Sequence, residues 1–265
     1  MYVGDDPSLS PRLHRFLAEH THRLPHTTEA RIRSAAAMTV DGRDEPAPEE
    51  LITAMVRFEE RYGGLRYAVI GSNGMEYGLD GVPTGHRGPL GPALPGIFDG
   101  DQTWGIDVLA DGRTAMGPGR WPYRIIDRSV DQRLEKHALL VAVRSWPHRT
   151  FTCSTPPEVL PVVDEERLPP PVPEATGPAD LWWGDDSTAI QITLSGWPPG
   201  QDRWTVRYFA RTPRRAADAN PTVYAAIGHE TVPAHWCALC SHDIAPGTTC
   251  PPALDTNDRH RRGRP

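Results

Sequence analysis

The sequence predicts an α+β chain: an antiparallel sheet with flanking helices, then a Pro-rich linker and a small β-rich unit that is a candidate for zinc stabilisation. Three observations carry this prediction. Helical apolar periods lie at both ends of the first 145 residues, short alternating segments with Gly-rich turns lie between them, and residues 155 to 178 hold eight prolines in 24 positions.

Ser10 is placed as an N-cap with Pro11 at the first helical position, and Leu13, Phe16, Leu17 and Leu24 follow at helical spacing, so a first helix is expected within residues 8 to 24. Residues 26 to 47 are polar, small and Pro-containing and read as a loose connection, in which EARIRSAAAM carries a short helix or strand. Pro48, Glu49 and Glu50 open a second helix whose Leu51, Met55, Phe58 and Tyr62 repeat at i, i+4, i+7 and i+11. Gly63 falls where a left-handed residue stops a helix. Gly64 then frees the chain to reverse into a strand in which Leu65, Tyr67 and Val69 alternate.

Short extended pieces follow around GSNG and LDGVP, then a Gly/Pro-rich excursion from Gly85 to Gly96. TWGIDVLADGRTAMG reads as a hairpin, with Trp104, Ile106 and Val108 alternating and Asp111-Gly112 favouring a type I′ turn. Ser129 and Gln132 have capping-box spacing before a third long helix with Val130, Leu134, Ala138 and Val141 on its apolar face. Past the linker, TAIQITLSGW and DRWTVRYFAR alternate with period two around a Pro-Pro-Gly connection. The expected layout is a domain over 1–154, the linker over 155–178, a β-rich C-x2-C unit over 179–255 and a basic tail over 256–265.

Composition narrows the classes. The net charge is −6, and only the tail RHRRGRP is basic, so nucleic acid has no global electrostatic support as a partner. No run of 18 apolar residues occurs and the start MYVGDDPSLS has neither a positive nor an apolar leader region, so neither a membrane span nor a secretory signal is expected and the cytoplasm is the expected compartment. Lys136 is the single lysine beside 29 prolines, a bias that suits a high-GC bacterial gene.

The stretch LITAMVRFEERYGGLRY, with its acidic-aromatic helix end and Gly63-Gly64, together with IFDGDQTWGIDVLADGRTAMG and SVDQRLEKHALL, resembles the SUKH superfamily of SMI1/KNR4-like domains over about residues 45–145. The resemblance implies a non-enzymatic protein-binding domain. Bacterial members of that superfamily are mostly immunity proteins that bind and neutralise toxins, and others are interaction scaffolds, so no catalytic residues come with it. The Gly85–Gly96 stretch and the C-terminal unit depart from the family pattern.

Independently, residues 74 to 112 hold six acids, Glu76, Asp80, Asp99, Asp101, Asp107 and Asp111, against one base, Arg87. Such a patch steers toward a cationic partner such as a basic toxin domain, while the plainer reading makes these aspartates turn residues. The expected partner-binding residues are Glu76, Asp80, Asp99, Asp101, Trp104, Asp107 and Trp121, although aromatic residues, Tyr123 among them, are more often core.

Cys237 and Cys240 have the C-x2-C spacing by which two thiolates grip one tetrahedral ion, and Cys250 returns after nine intervening residues. Ala253 stands where a fourth thiolate would complete the site, which leaves His242, His235 or His260. His242, two residues beyond Cys240, is the chosen ligand, and the expected cofactor is structural zinc. Free thiols or a redox pair are the alternatives.

Enzymatic signals are weaker. Cys153 lies five residues after His148 with no third orienting group, and Pro25 interrupts the turn between His22 and His26. No Walker loop, nucleophile elbow, H-E-x-x-H or dinucleotide fingerprint is present. Two functions therefore compete: a protein-binding domain acting through the sheet and loops of residues 74–125, and a zinc-stabilised adaptor whose C-terminal unit binds nucleic acid or protein. A Cys153-dependent hydrolase ranks last.

Overall fold

The Ser10 hydroxyl accepts the Leu13 amide at 3.0 Å and starts helix α1, Pro11–His20, with proline at its first position. Leu13, Phe16 and Leu17 are buried, whereas Leu24, expected in the same period, lies beyond the helix and is exposed. The protein is described by a computed structural model over residues 1–68, 77–79, 83–99, 106–117, 123–155, 166, 168–196, 203–216, 235–237 and 242–244. Of these, residues 77, 97–99, 148–155, 195–196, 203, 235–237 and 242–244 are described as backbone. The chain divides into two compact units, Met1–Ala142 with Glu174–Ala179, and Val143–Pro173 with Asp180–Pro265.

In the first unit, β1 (Thr21–Arg23) leads to α2 (Glu29–Ala35), capped by Thr28, and then to β2 (Ala37–Val40) and β3 (Arg43–Pro46). The stretch read as a loose connection is thus a helix and a hairpin. Its turn is Asp41-Gly42, with φ of 49° and 76°, the two positive values a type I′ turn demands.

Helix α3 spans Glu49–Tyr62, with Pro48 as N-cap and Leu51, Met55, Phe58 and Tyr62 buried as its spacing predicts. The glycine pair behind it divides its work differently from expectation. Gly63 has φ −52° and donates its amide to Glu59 O at 2.9 Å, while Gly64, at φ +79°, makes the left-handed turn. A Cβ at Gly64 would lie 2.2 Å from the Leu24 carbonyl oxygen, so backbone crowding joins the dihedral in excluding a side chain.

The remaining strands are β4 (Leu65–Tyr67), β5 (Tyr77–Leu79), β6 (Thr84–Gly88), β7 (Gly91–Asp99), β8 (Ile106–Leu109), β9 (Thr114–Met116) and β10 (Arg124–Asp127). They join into one sheet in the order β1-β4-β5-β7-β6-β2-β3, with β8, β9 and β10 continuing from β7. Among the described residues every pair of this sheet is antiparallel except β2 with β6, which makes the sheet mixed where a purely antiparallel one was expected. A parallel pair needs a long crossover, and the segment holding α3 supplies it.

The Gly85–Gly96 excursion is also strand, in β6 and β7. A Cβ at Gly85 would meet Leu51 Cδ2 at 2.7 Å, and one at Gly96 would meet Phe58 Cζ at 2.8 Å. These glycines clear the sheet surface on which α3 lies. The β8–β9 turn also departs from expectation. Gly112 N donates to Leu109 O at 2.8 Å and Leu109 N to Arg113 O at 2.9 Å, and Gly112 has φ 90° while Asp111 has no positive φ. That is a three-residue loop with a glycine bulge in place of a type I′ turn.

Helix α4, Val130–Arg144, starts at Ser129, whose hydroxyl accepts the Gln132 amide at 3.1 Å, and Gln132 Oε1 accepts the Arg128 amide at 3.0 Å. The Phe16 and Tyr67 rings meet edge-on at 5.4 Å, and the Tyr67 hydroxyl lies 3.1 Å from His137 Nδ1, so α1 and α4 share with α3 one face of the sheet. Arg61 Nη2 ties this layer to the N-terminal segment through Asp6 and Asp131, at 2.8 Å each.

The second unit holds an antiparallel sheet ordered β11 (His148–Thr155), β14 (Arg203–Ala210), β13 (Thr188–Gly196), β12 (Asp180–Gly184). The two alternating segments read from the sequence are β13 and β14. Trp183, Ile190, Ile192, Val206 and Tyr208 form its core, each side chain contributing roughly 1.5–3 kcal/mol by leaving water. The hairpin of β15 (His235–Cys237) and β16 (His242–Ile244) is described as backbone.

Candidate partner-binding face

Register decides what the first sheet carries on its other face, which is free of helices among the described residues. Thr39 pairs with His86, His86 with Ala93, and Ala93 with Leu109, so the four share one face. Asp107, Ala115 and Ile125 form the adjoining row. Ala93, Leu109 and Ala115 are buried small and medium residues with Tyr123 and Ile125 packed against them.

Above this patch a single carboxylate oxygen gathers two partners. His86 Nε2 lies 3.1 Å from Asp107 Oδ2, and the Tyr123 hydroxyl donates to the same oxygen at 2.6 Å. β6 and β8 are not neighbours, because β7 runs between them, and the methyl of Ala93 leaves room for His86 and Asp107 to meet across it. The hydrogen bond to Asp107 raises the His86 pKa above its ordinary value, against the opposing effect of burial. Burial first, and then the bond to Asp107, raises that of Tyr123. The His86 side chain remains 37% exposed, so part of the imidazole is accessible on this face.

Of the residues expected to bind a partner, Asp107 is described fully, and it is a buried acceptor. Asp111, counted in the acidic stretch, pairs with Arg113 at 2.6 Å in the β8–β9 hairpin, and the bond to Arg113 lowers its pKa. Asp99 is the last residue of β7, opposite Tyr77 in register. Glu76, Asp80, Asp101, Trp104 and Trp121 lie outside the described residues. His86 was not singled out in the sequence. TGHRG carries no signal of its own, and only the β6–β7–β8 register brings it to Asp107.

Among the metal candidates, Cys237 and His242 are directly opposed in register on β15 and β16, while Cys240 and Cys250 lie outside the described residues. Among the described residues no group of three or more His, Cys, Asp or Glu is placed to hold a metal ion. Cys153 and His148 both lie in β11, whose register shifts between Thr152 and Thr155. Among the described residues no helix is long and apolar enough to cross a membrane. A scan against protein-family models finds no match for this chain, and neither do searches of the curated proteins and of the solved structures.

Proposed function

We propose that the chain is a non-enzymatic protein-binding protein of SUKH type, an immunity protein that neutralises a basic bacterial toxin in the cytoplasm. Its binding surface is the sheet face away from α1, α3 and α4 with the loops of residues 74–125. One observation carries this reading: α1, α3 and α4 gather on one face of the first sheet, and the other presents His86, Asp107 and Tyr123 beside strands that lead into the acid-rich segments. Glu76, Asp80, Asp101, Trp104 and Trp121 would supply charge and aromatic anchors there, with the charges governing mostly association rate, whereas Asp99 shares its row with Tyr77 and Tyr67 on the helix-bearing face.

The experiment is affinity capture followed by reconstitution of the purified pair and calorimetry in the full-length chain. The reading expects a basic partner whose affinity falls at least tenfold when Asp80 and Asp101 are replaced by Arg. An unchanged affinity removes the acidic face from the interface.

A second reading is favoured by the register of the C-terminal hairpin. Cross-strand positions put Cβ atoms about 5 Å apart, a distance from which two side chains can reach one ion. Cys237 and His242 occupy such positions. With Cys240 and Cys250 they would hold a structural zinc ion and make residues 179–255 a small adaptor unit for protein or nucleic acid. Metal analysis of freshly purified protein should find one equivalent of zinc, and Cys237→Ser should lower both metal content and thermal stability. A content well below one equivalent rejects the site.

A further inference from the structure

The segment Glu174–Ala179 belongs to the first unit, where side chains of α1, α4 and the residue before the α4 cap hold it mainly by its backbone. Gln132 Nε2 donates to the Ala175 carbonyl at 3.0 Å, and Arg128 Nη2 donates to the next carbonyl, that of Thr176. Arg12 Nη2 pairs with Glu174 Oε1 at 3.0 Å. Two positions tolerate little: Ala175 is fully buried, and a Cβ at Gly177 would stand 2.3 Å from Gln132 Oε1. Gln132 cannot move aside freely, since its Oε1 also accepts the Arg128 amide at 3.0 Å.

The groove does not end with this occupant. Past Glu174 a cleft of about 430 Å³ continues between Ser8–Ser10 and the first turns of α4, lined by Arg128, Ser129, Asp131 and Glu135. Its walls are braced by bonds from Ser10 Oγ and Arg12 Nη2 to Glu135 Oε2, at 2.8 and 3.2 Å. Donors aimed at two successive carbonyls hold the backbone of this turn whatever its side chains, and the tight positions at Ala175 and Gly177 add selectivity.

We propose that this groove is a peptide-binding site that reads an acid–small–any–glycine segment entering through a turn, filled in this chain by its own Glu174–Ala179. A partner protein presenting the same pattern takes that place, and its upstream residues fill the adjoining cleft. The site is separate from the sheet face and does not depend on that reading. Because a tethered occupant acts at an effective concentration on the order of millimolar, the free groove is exposed only when the strap is released or outcompeted by a ligand that also fills the cleft.

The test uses the full-length chain and a fluorescein-labelled peptide of sequence VPEATGPAD, read by anisotropy. Gly177→Val expels the strap while leaving every groove side chain in place. It should bind the peptide at least tenfold more tightly than the natural chain, and adding Gln132→Ala should abolish the gain. A Gly177→Val protein with natural circular dichroism that binds no better than the natural chain overturns the proposal. Should that variant not fold, excess peptide added to the natural chain should speed amide exchange across residues 175–177 by displacing the strap, and unchanged exchange overturns the proposal equally.

Discussion

Lys136 Nζ lies 2.6 Å from Asp127 Oδ1, with side-chain exposures of 8% and 0%. Asp127 also takes the Thr114 hydroxyl at 2.6 Å and Arg133 Nη1 at 3.2 Å, so a carboxylate with no access to water is held by two cations and a hydroxyl. Burial alone would raise its pKa, but Lys136 and Arg133 outweigh burial and the net direction is down. The single lysine of the chain is thereby structural. Removing one partner of a buried pair leaves a charge poorly compensated, so Lys136→Met should destabilise the protein by about 3 kcal/mol in urea unfolding. A loss below about 1 kcal/mol would show that Arg133 suffices.

His137 follows on the same helix, buried against Tyr67. Burial, then Arg133 and Lys136, lowers its pKa well below the ordinary value. A neutral ring in the folded state and a protonatable one in the unfolded chain mean that its contribution is complete above about pH 6.5 and is lost as pH falls below that value. His137→Gln should therefore flatten the decline of stability between neutral and acid pH, read from urea midpoints. An identical slope in both proteins removes His137 as its source.

His86 has the opposite sign. Its folded pKa is raised by Asp107, so its contribution is complete below about pH 6.5 and disappears as pH rises through the folded value. Asp107 and Tyr123 face it from beyond β7, and Thr39 is its register neighbour on β2. With more than a third of the side chain exposed, the effect should stay below about 1 kcal/mol. His86→Gln should weaken the protein more at pH 5.5 than at pH 8.5, and the NMR titration of His86 should shift down in Asp107→Asn. A midpoint unmoved by that change would contradict the pairing.

Gly64 and Gly42 share a left-handed backbone, at φ +79° and +76°, but differ in surroundings. A Cβ at Gly64 meets the Leu24 carbonyl at 2.2 Å, and one at Gly42 meets nothing within 4 Å. Gly42→Ala should cost about 1–2 kcal/mol, the dihedral penalty alone. Gly64→Ala should cost clearly more, because the Leu24 backbone must move. Equal losses in thermal unfolding would mean that the chain at Leu24 yields without resistance.

Local chemistry was legible where it acts over a few residues. The Ser10 and Ser129 caps, the apolar period of α3 and the alternation of β13 and β14 all stand as read, because each depends on hydrogen bonds or faces within one element. The Asp41-Gly42 hairpin is equally local, but its exposed, polar strand β3 carries no apolar alternation by which a strand is read. Gly85 to Gly96 misled because glycine and proline speak for loops in isolation, whereas here α3 needs the absent side chains.

By itself, the sequence determined the α+β class, the helix starts and the alternation of the second sheet, all of which follow from periodicity and capping. Tertiary structure alone decided the parallel β2–β6 pair, the meeting of His86 with Asp107 across Ala93, and the seating of Glu174–Ala179 against Gln132. The physical reason is distance along the chain. Those contacts join residues 21 to more than 40 positions apart, and no local propensity encodes which strand will lie beside which.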